Sequence, residues 1–295
     1  MQKDLNFAFF GGEPLAVPVL EILHQNGIVP AHIVCNPDKP AGRNLKLTPP
    51  PTKVWAVEHN IPFIQPEKPS SSDLKDIFDF LVVVAYGKII PKEALDSTKY
   101  GAINIHPSLL PKYRGPSPIV SAILNGDTET GVTIIKIDEE MDHGPILAQE
   151  KIYLSGNELT EDLEKTLVEL GGKLLVEVIS KLPEVEEVEQ DHSKATFVKK
   201  FSKADAEIKL EDDPTQNWRK FRAFHNNFRT YFFSVEGATP AKSGWQGSAS
   251  GGKDGKRFVI TDAVLEDDPL DPARGKKFVI KKVIPEGGKE ILWKS

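Results

Sequence analysis

Phe80-Leu81-Val82-Val83-Val84-Ala85 contains no polar residue and is rich in β-branched side chains. β-Branching restricts χ1 and favours extended backbone. The lack of polar alternation marks a strand covered on both faces, as in a parallel sheet flanked by helices. The sequence on either side agrees. Upstream, Phe7-Ala8-Phe9-Phe10 is another short apolar run, stopped by Gly11-Gly12; Ala16–His24 has apolar residues at helical spacing, and Ala31–Cys35 is extended again. Residues 36–52 read as a long loop rich in Pro, Gly and Lys. A helix over Pro51–Asn60, extended Pro62-Phe63-Ile64 and a short helix over Asp73–Phe78 follow. Downstream, Gly101–His106 is a strand and Ile119–Leu124 a helix, while Val132–Ile137 and Ile146–Tyr153 are strands around the loop Asp138–Pro145. Leu159–Leu182 has a long helical period with Thr160 placed as its N-cap. Alternation of this kind predicts an α/β fold: a Rossmann-like, mainly parallel sheet over residues 1–182.

The pattern changes at Leu182. Residues 183–199 are polar and acidic at first, and are expected to be a linker. In residues 200–295 the apolar runs (Tyr231–Val235, Phe258–Ile260, Phe278–Ile280, Ile291–Trp293) are short and broken by Gly, Asp and Pro, with one helix candidate at Thr215–His225. They predict a small C-terminal β-barrel of OB-like type. Residues 247–255 form a Gly-rich loop.

The chain has 295 residues, a length that suits about two domains. Its longest apolar run, Phe80–Tyr86, is far short of the roughly 20 residues that span a bilayer, and the N-terminus, Met1–Phe10, has too short an apolar stretch for a secretory signal. The expectation is a cytoplasmic protein. The single cysteine, Cys35, excludes an internal disulfide and a multi-cysteine zinc site. Net charge is −6, but residues 1–199 carry 19 Lys and Arg against 29 Asp and Glu (−10), whereas residues 200–295 carry 18 against 14 (+4). An acidic front and a mildly basic back point to two parts with different partners.

Several functional motifs fail on inspection. Gly247–Lys253 has the glycine and lysine spacing of a phosphate-binding loop, but Asp254 stands where a hydroxyl should hold Mg²⁺. No G-x-G-x-x-G follows the first strand, so a dinucleotide dehydrogenase is not expected. No H-E-x-x-H and no histidine pair at short spacing supports a metal site. The chemistry concentrates instead in Asn104-Ile105-His106-Pro107-Ser108. In a strand Asn104 and His106 point to one side while Ile105 enters the packing, and the carboxyl ends of such strands are where α/β sheets bind ligands. An amide and an imidazole aimed together can hold a carbonyl oxygen and move a proton. Asp142, in the acidic turn Asp138–Gly144, is a carboxylate that could orient His106 and favour its protonated form; His143 beside it reads as solvated.

Three ordered blocks carry a resemblance: Val84–Pro91, Ile103–Gly115, and Gly131-Val132-Thr133 through Met141-Asp142-His143-Gly144-Pro145-Ile146-Leu147. Together they resemble the folate-dependent formyltransferases. The resemblance implies Asn104, His106 and Asp142 as the catalytic trio. It implies Gly87, Lys88, Ile89, Ile90, Ser108, Leu109, Leu110 and Pro111 as the lining of a site for 10-formyltetrahydrofolate, with no metal in the reaction. Within the family the chain is most similar to members that formylate the α-amino group of an aminoacylated initiator tRNA. The loop Asn36–Arg43 with Lys46 resembles an insertion that enters the acceptor stem. Ala195-Thr196-Phe197, Arg222-Ala223-Phe224 and Pro285-Glu286-Gly287 resemble signatures of a tRNA-binding C-terminal domain. Arg43, Lys46 and Arg222 are the implied nucleic-acid contacts, and a monomer is expected. Asn104 and a protonated His106 would stabilise the tetrahedral oxyanion, with Asp142 holding the imidazole. The alternatives are a formyltransferase acting on an amino-sugar nucleotide or other small amine, and a non-catalytic RNA-binding module on the same fold.

Overall fold

The computed structural model describes residues 5–41, 45–70, 74, 78–234, 255–267 and 275–293. Arg43, most of the helix expected over Asp73–Phe78 and nearly all of the 247–255 loop lie outside the described residues. Two compact units are present. The first comprises residues 1–115, 130–152 and 165–197; the second comprises residues 116–129, 153–164 and 198–295.

The first unit is built on a seven-stranded sheet in the order β5-β2-β1-β6-β7-β8-β9. These strands are β1 (Phe7–Gly11), β2 (His32–Val34), β5 (Phe63–Ile64), β6 (Phe80–Val84), β7 (Ala102–His106), β8 (Glu129–Lys136) and β9 (Ile146–Tyr153). The pairings from β5 through β7 are parallel, and β7 meets β8 antiparallel. Every residue of β1 and β6 is buried, as an uninterrupted apolar run requires. Their parallel pairing places Gly11 beside Val84. The carboxyl ends of adjacent strands β1, β6 and β7 therefore share one edge, where the loops that follow can build a site.

Helix α1 (Ala16–Gln25) buries Ala16, Val19, Leu20 and Leu23, the i, i+3, i+4, i+7 set of one helical face. Helix α2 (Pro51–Glu58) begins with proline in its first turn, where the missing N–H costs nothing. A short α3 spans Lys92–Leu95. The long helix α5 (Thr160–Lys181) crosses β7 and β8 at Gly171, where an added Cβ would lie 2.7 Å from a methyl of Ile105 and 3.2 Å from Val132. Only glycine permits that approach, and Ile105 is thereby fixed on the helix-covered face of β7. Asn104 and His106 consequently occupy the opposite face.

The sequence reading differs from the structure at three places here. Within the supposed loop 36–52, β3 (Lys39–Ala41) and β4 (Lys46–Thr48) pair antiparallel. The side chains of β4 are exposed, so no buried face imposes an apolar alternation that would have revealed it. Residues 183–197, read as a linker, are tied into the first unit through the Ile146–Val188 and Arg114–Phe197 bridges. Thr160 begins its helix, but its hydroxyl donates to the carbonyls of Arg222 and Ala223 in place of an N-cap bond.

Cys35 is fully buried. Burial raises its thiol pKa to about 11, which leaves it protonated and unreactive near neutrality. Cys35→Ala is expected to retain full activity at a stability cost of ~1 kcal/mol. Activity and thermal denaturation together check this; a folded but inactive variant would give the thiol a chemical role.

In the second unit, helix α4 (Pro118–Asn125) and helix α6 (Pro214–Ala223) accompany a four-stranded antiparallel sheet. That sheet runs β10 (Tyr231–Ser234), β11 (Lys256–Asp267), β12 (Lys276–Pro285) and β13 (Ile291–Leu292). Asp213 caps α6 by accepting a bond from the Gln216 N–H, and Pro214 occupies its first turn. Ile208, Phe221, Phe232, Ile260, Ala263, Ile280, Val283 and Trp293 form the core. The sheet agrees with the expected all-β C-terminal part. Strands β11 and β12 are much longer than their apolar runs implied, because polar residues alternate along them.

Candidate active site

His106 ends β7 and is 4% exposed. Its Nε2–H donates to the Tyr113 carbonyl at 2.9 Å, and its Nδ1 lies 3.6 Å from Oδ2 of Asp142. The same Oδ2 accepts the Gly115 N–H at 2.8 Å. Strand β7 and the 138–145 turn thus bring His106 and Asp142 together, though distant in sequence. Asn104 is half-buried on the same face of β7, and its side chain makes no hydrogen bond among the described residues. An unengaged amide next to a paired imidazole and carboxylate is what an incoming carbonyl oxygen would need.

The sequence reading has Asp142 favouring a protonated His106; Asp142 does pull that way, but burial outweighs it. Burial pushes the His106 pKa below the ordinary imidazole value, against the opposing pull of Asp142 and the Tyr113 carbonyl. Desolvation wins because the charged ring loses its water and gains only one carboxylate beyond direct hydrogen-bond distance. With Nε2 carrying the hydrogen, Nδ1 presents a lone pair next to a carboxylate. That nitrogen is a proton acceptor whose charged form Asp142 would stabilise.

Residues that sequence reasoning did not single out hold this arrangement. Gln190 is 4% exposed and donates to the carbonyls of Asp142 at 3.0 Å and Gly144 at 2.7 Å. Its Oε1 accepts from Nε and Nη2 of buried Arg114 at 3.2 and 2.7 Å, and Arg114 also reaches His192 at 2.8 Å. His143, expected to be solvated, pairs with Asp138 at 2.7 Å and stacks on His192 with centroids 4.0 Å apart. Arg114 lies within the block Ile103–Gly115, but nothing in the sequence separates it from the nearby Lys112. Gln190 gave no signal, because it sits in an acidic stretch with no periodicity. Ala85, Tyr113 and Asp142 all adopt positive φ (46°, 65° and 51°). Such backbone costs about 1–3 kcal/mol per residue and gathers at sites that require it.

The segments expected to line a folate site follow adjacent strands. Ser108, Leu109, Leu110 and Pro111 come after β7. Thr133 donates to the Ser108 carbonyl and accepts the Leu110 N–H, while Gln149 donates to Thr133 and to the Leu110 carbonyl. Gly87, Lys88, Ile89 and Ile90 come after β6. Gly87 has a φ of 72°, Lys88 reaches the carbonyls of Pro66 and Glu67, and Ile89 is 88% exposed. The backbone N–H and C=O groups of residues 87–90 make no hydrogen bond with other described residues.

The expected nucleic-acid contacts divide. Arg43 lies outside the described residues. Lys46 is exposed on β4. Arg222 does not suit the role: it is 4% exposed, donates to the Glu158 carbonyl at 3.1 Å and packs over Trp218. Its guanidinium serves the interior of the second unit because α6 turns that face inward.

Residues 5–179 match the formyl transferase family. The chain belongs to that family. It is similar to the methionyl-tRNA formyltransferase of Thermotoga maritima, at 40% identity over 241 residues covering 79% of this chain and 77% of that one. It is similar also to the methionyl-tRNA formyltransferase of Halalkalibacterium halodurans, at 35% identity over 297 residues covering 98% and 92%. Among solved structures, an N-formyltransferase from Helicobacter canadensis bound to folinic acid and dTDP-3-aminofucose superposes with a TM-score of 0.64. It covers 99% of this chain and all of that one at 18% identity, which supports the fold alone.

Proposed function

We propose that this chain is a methionyl-tRNA formyltransferase, moving the formyl group of 10-formyltetrahydrofolate to the α-amino group of initiator methionyl-tRNA. The observation that carries the chemistry is the buried His106, with Nδ1 facing Asp142 at 3.6 Å and the unengaged Asn104 amide on the same face of β7. The folate co-substrate would supply an activated formyl group, and Gly87–Ile90 with Ser108–Pro111 would hold it at the edge shared by β6 and β7. Asn104 donates its amide N–H to the oxygen that becomes an oxyanion on attack, an interaction worth roughly 2.7–4 kcal/mol in such sites. His106 accepts the proton released by the attacking amine at Nδ1. Asp142 stabilises the resulting imidazolium, which then returns the proton to the departing nitrogen. No protein group changes charge permanently, so the site is ready for another turnover. We assign the site to the cytoplasm as its working compartment, where aminoacylated tRNA is found; among the described residues no helix is long and apolar enough to cross a membrane.

This reading fixes a pH dependence. A base must be neutral to act, and burial has lowered the His106 pKa. The acid limb of kcat/KM is therefore expected below pH ~6.5, the ordinary imidazole value. Asp142→Asn removes the contribution that raises the pKa, so the limb should move lower still while kcat falls. A limb above the ordinary imidazole value would contradict a neutral resting His106.

The partner tRNA must be held locally, because a net charge of −6 repels a polyanion. We assign first contact to Arg43 and Lys46. Arg43→Ala and Lys46→Ala should each weaken tRNA binding and leave folate binding unchanged. For every phosphate no longer neutralised, the log–log salt dependence should flatten by somewhat less than about one unit. Filter binding across salt concentrations measures both quantities. Identical slopes for the wild type and both variants would remove this loop from the interface.

Direct discrimination from the amino-sugar reading comes from supplying purified protein and 10-formyltetrahydrofolate with either methionyl-tRNA or a nucleotide-linked amino sugar. Formylation of the tRNA substrate alone is expected.

A further inference from the structure

Glu21 and His24 stand three residues apart on α1, so their side chains rise from one face of that helix. His59 is the residue that caps the C-terminus of α2. Among the described residues these three form a group whose candidate ligand atoms all lie within 4.8 Å of one another. Nε2 of His59 is 3.9 Å from Oε1 of Glu21, and the two imidazole centroids are 4.8 Å apart. The sequence concealed the group because His24 and His59 lie on different helices, far outside the short spacing of a metal motif.

Proximity alone would be weak support, and the surroundings add to it. Nδ1–H of His59 donates to the Trp55 carbonyl at 2.9 Å, which leaves the lone pair on Nε2, the nitrogen directed at Glu21. Metal-binding histidines are commonly oriented this way, by a carbonyl on the ring nitrogen that does not bind. Oε1 of Glu21 accepts the Trp55 indole N–H at 2.7 Å, so the carboxylate is oriented too. Both orienting bonds come from a residue that is 2% exposed and stacks on the His59 ring at 4.0 Å. His24 is exposed, and its ring meets those of His59 and Trp55 edge-on with centroids 4.8 and 5.9 Å apart. Zinc bonds of about 2.0–2.2 Å require neighbouring ligand atoms roughly 3.5 Å apart, so the three groups, now within 4.8 Å of one another with one pair at 3.9 Å, must draw together on binding.

We propose that Glu21, His24 and His59 bind a divalent transition ion of the zinc class. Two imidazoles and one carboxylate supply three ligands, and water completes the shell. None of the three belongs to the elements that carry Asn104, His106 or Asp142, so the ion takes no part in formyl transfer. Its effect is to clip α1 to the C-terminal end of α2, adding stability in proportion to occupancy.

The test uses untagged full-length protein freed of metal with a chelator, then titrated with Co²⁺ and with Zn²⁺. One equivalent of Co²⁺ should give visible d–d bands that Zn²⁺ abolishes, and Zn²⁺ should raise the thermal midpoint. His24→Ala, at an exposed position that leaves folding intact, should remove the bands and the thermal shift. Trp55→Phe keeps the stacked ring but removes the indole donor, and should weaken Zn²⁺ binding by roughly 10- to 100-fold. A purely aromatic packing role for these residues predicts no metal signal in any variant. Absence of saturable Zn²⁺ binding by the wild type, or equal binding by wild type and His24→Ala, would overturn the proposal.

Discussion

His106→Ala is expected to lower kcat for formyl transfer by roughly 10²-fold or more, the usual scale for loss of a positioned acid–base group. The reason is geometric. Nδ1 of His106 faces Asp142 at 3.6 Å, Nε2 is committed to the Tyr113 carbonyl, and burial pushes the ring's pKa down, toward the uncharged form that can accept a proton. Removing a buried ring also leaves that carbonyl unpaired, so circular dichroism and a melting curve must accompany the assay. His106→Gln keeps an amide donor for Tyr113 but cannot accept and return a proton, and should be as slow while melting closer to wild type. Asn104→Ala removes the proposed oxyanion donor and should cost a similar factor. In the proposed mechanism the three groups act on one proton and one oxyanion, so the Asn104/His106/Asp142 triple variant should be little slower than the slowest single variant. A folded His106→Gln protein with near-normal turnover would contradict the mechanism.

Gly144→Ala should be almost as damaging, although Gly144 carries no functional group. A Cβ added at this position would overlap the backbone carbonyl oxygen of Lys136, and backbone cannot rotate away as a side chain can. The turn between β8 and β9 must shift. Gln190 then loses its hold on the Gly144 and Asp142 carbonyls, which it now reaches at 2.7 and 3.0 Å. Displacing a reacting group by about 1 Å can cost 10²-fold, so the expected kcat loss approaches that of Asp142→Ala. Strain of this type also lowers stability by about 1–3 kcal/mol. Steady-state kinetics and thermal denaturation would show both effects. Wild-type kcat in Gly144→Ala would mean that the position of Asp142 does not limit the reaction.

Local sequence carried the sheet of the first unit well, because burial on both faces leaves a mark that needs no partner to interpret. Phe80–Val84 and Phe7–Gly11 have apolar side chains throughout, glycine aside, and all of these residues are buried. The placement of Asn104 and His106 on one face followed from strand alternation, and Gly171 packing against Ile105 explains why that face is the one turned away from the helix. What local sequence could not carry was anything decided by distant neighbours. The lowered pKa of His106 depends on how completely the chain encloses it. The Arg114–Gln190 support joins residues far apart in sequence, and Arg222 turns inward because of how α6 packs. The β3–β4 hairpin escaped notice for the opposite reason: its exposed residues have no buried face to satisfy.

In the proposed reaction His106, Asp142 and Asn104 together move a formyl group to the amino group of methionyl-tRNA. The most direct test of this is single-turnover formylation by the purified full chain with 10-formyltetrahydrofolate and methionyl-tRNA, run beside the His106→Gln protein. The expected result is N-formylmethionyl-tRNA from the wild type, at a rate reduced roughly 10²-fold or more in the variant. No formylation of methionyl-tRNA by folded wild-type protein, or equal rates from both proteins, would contradict it.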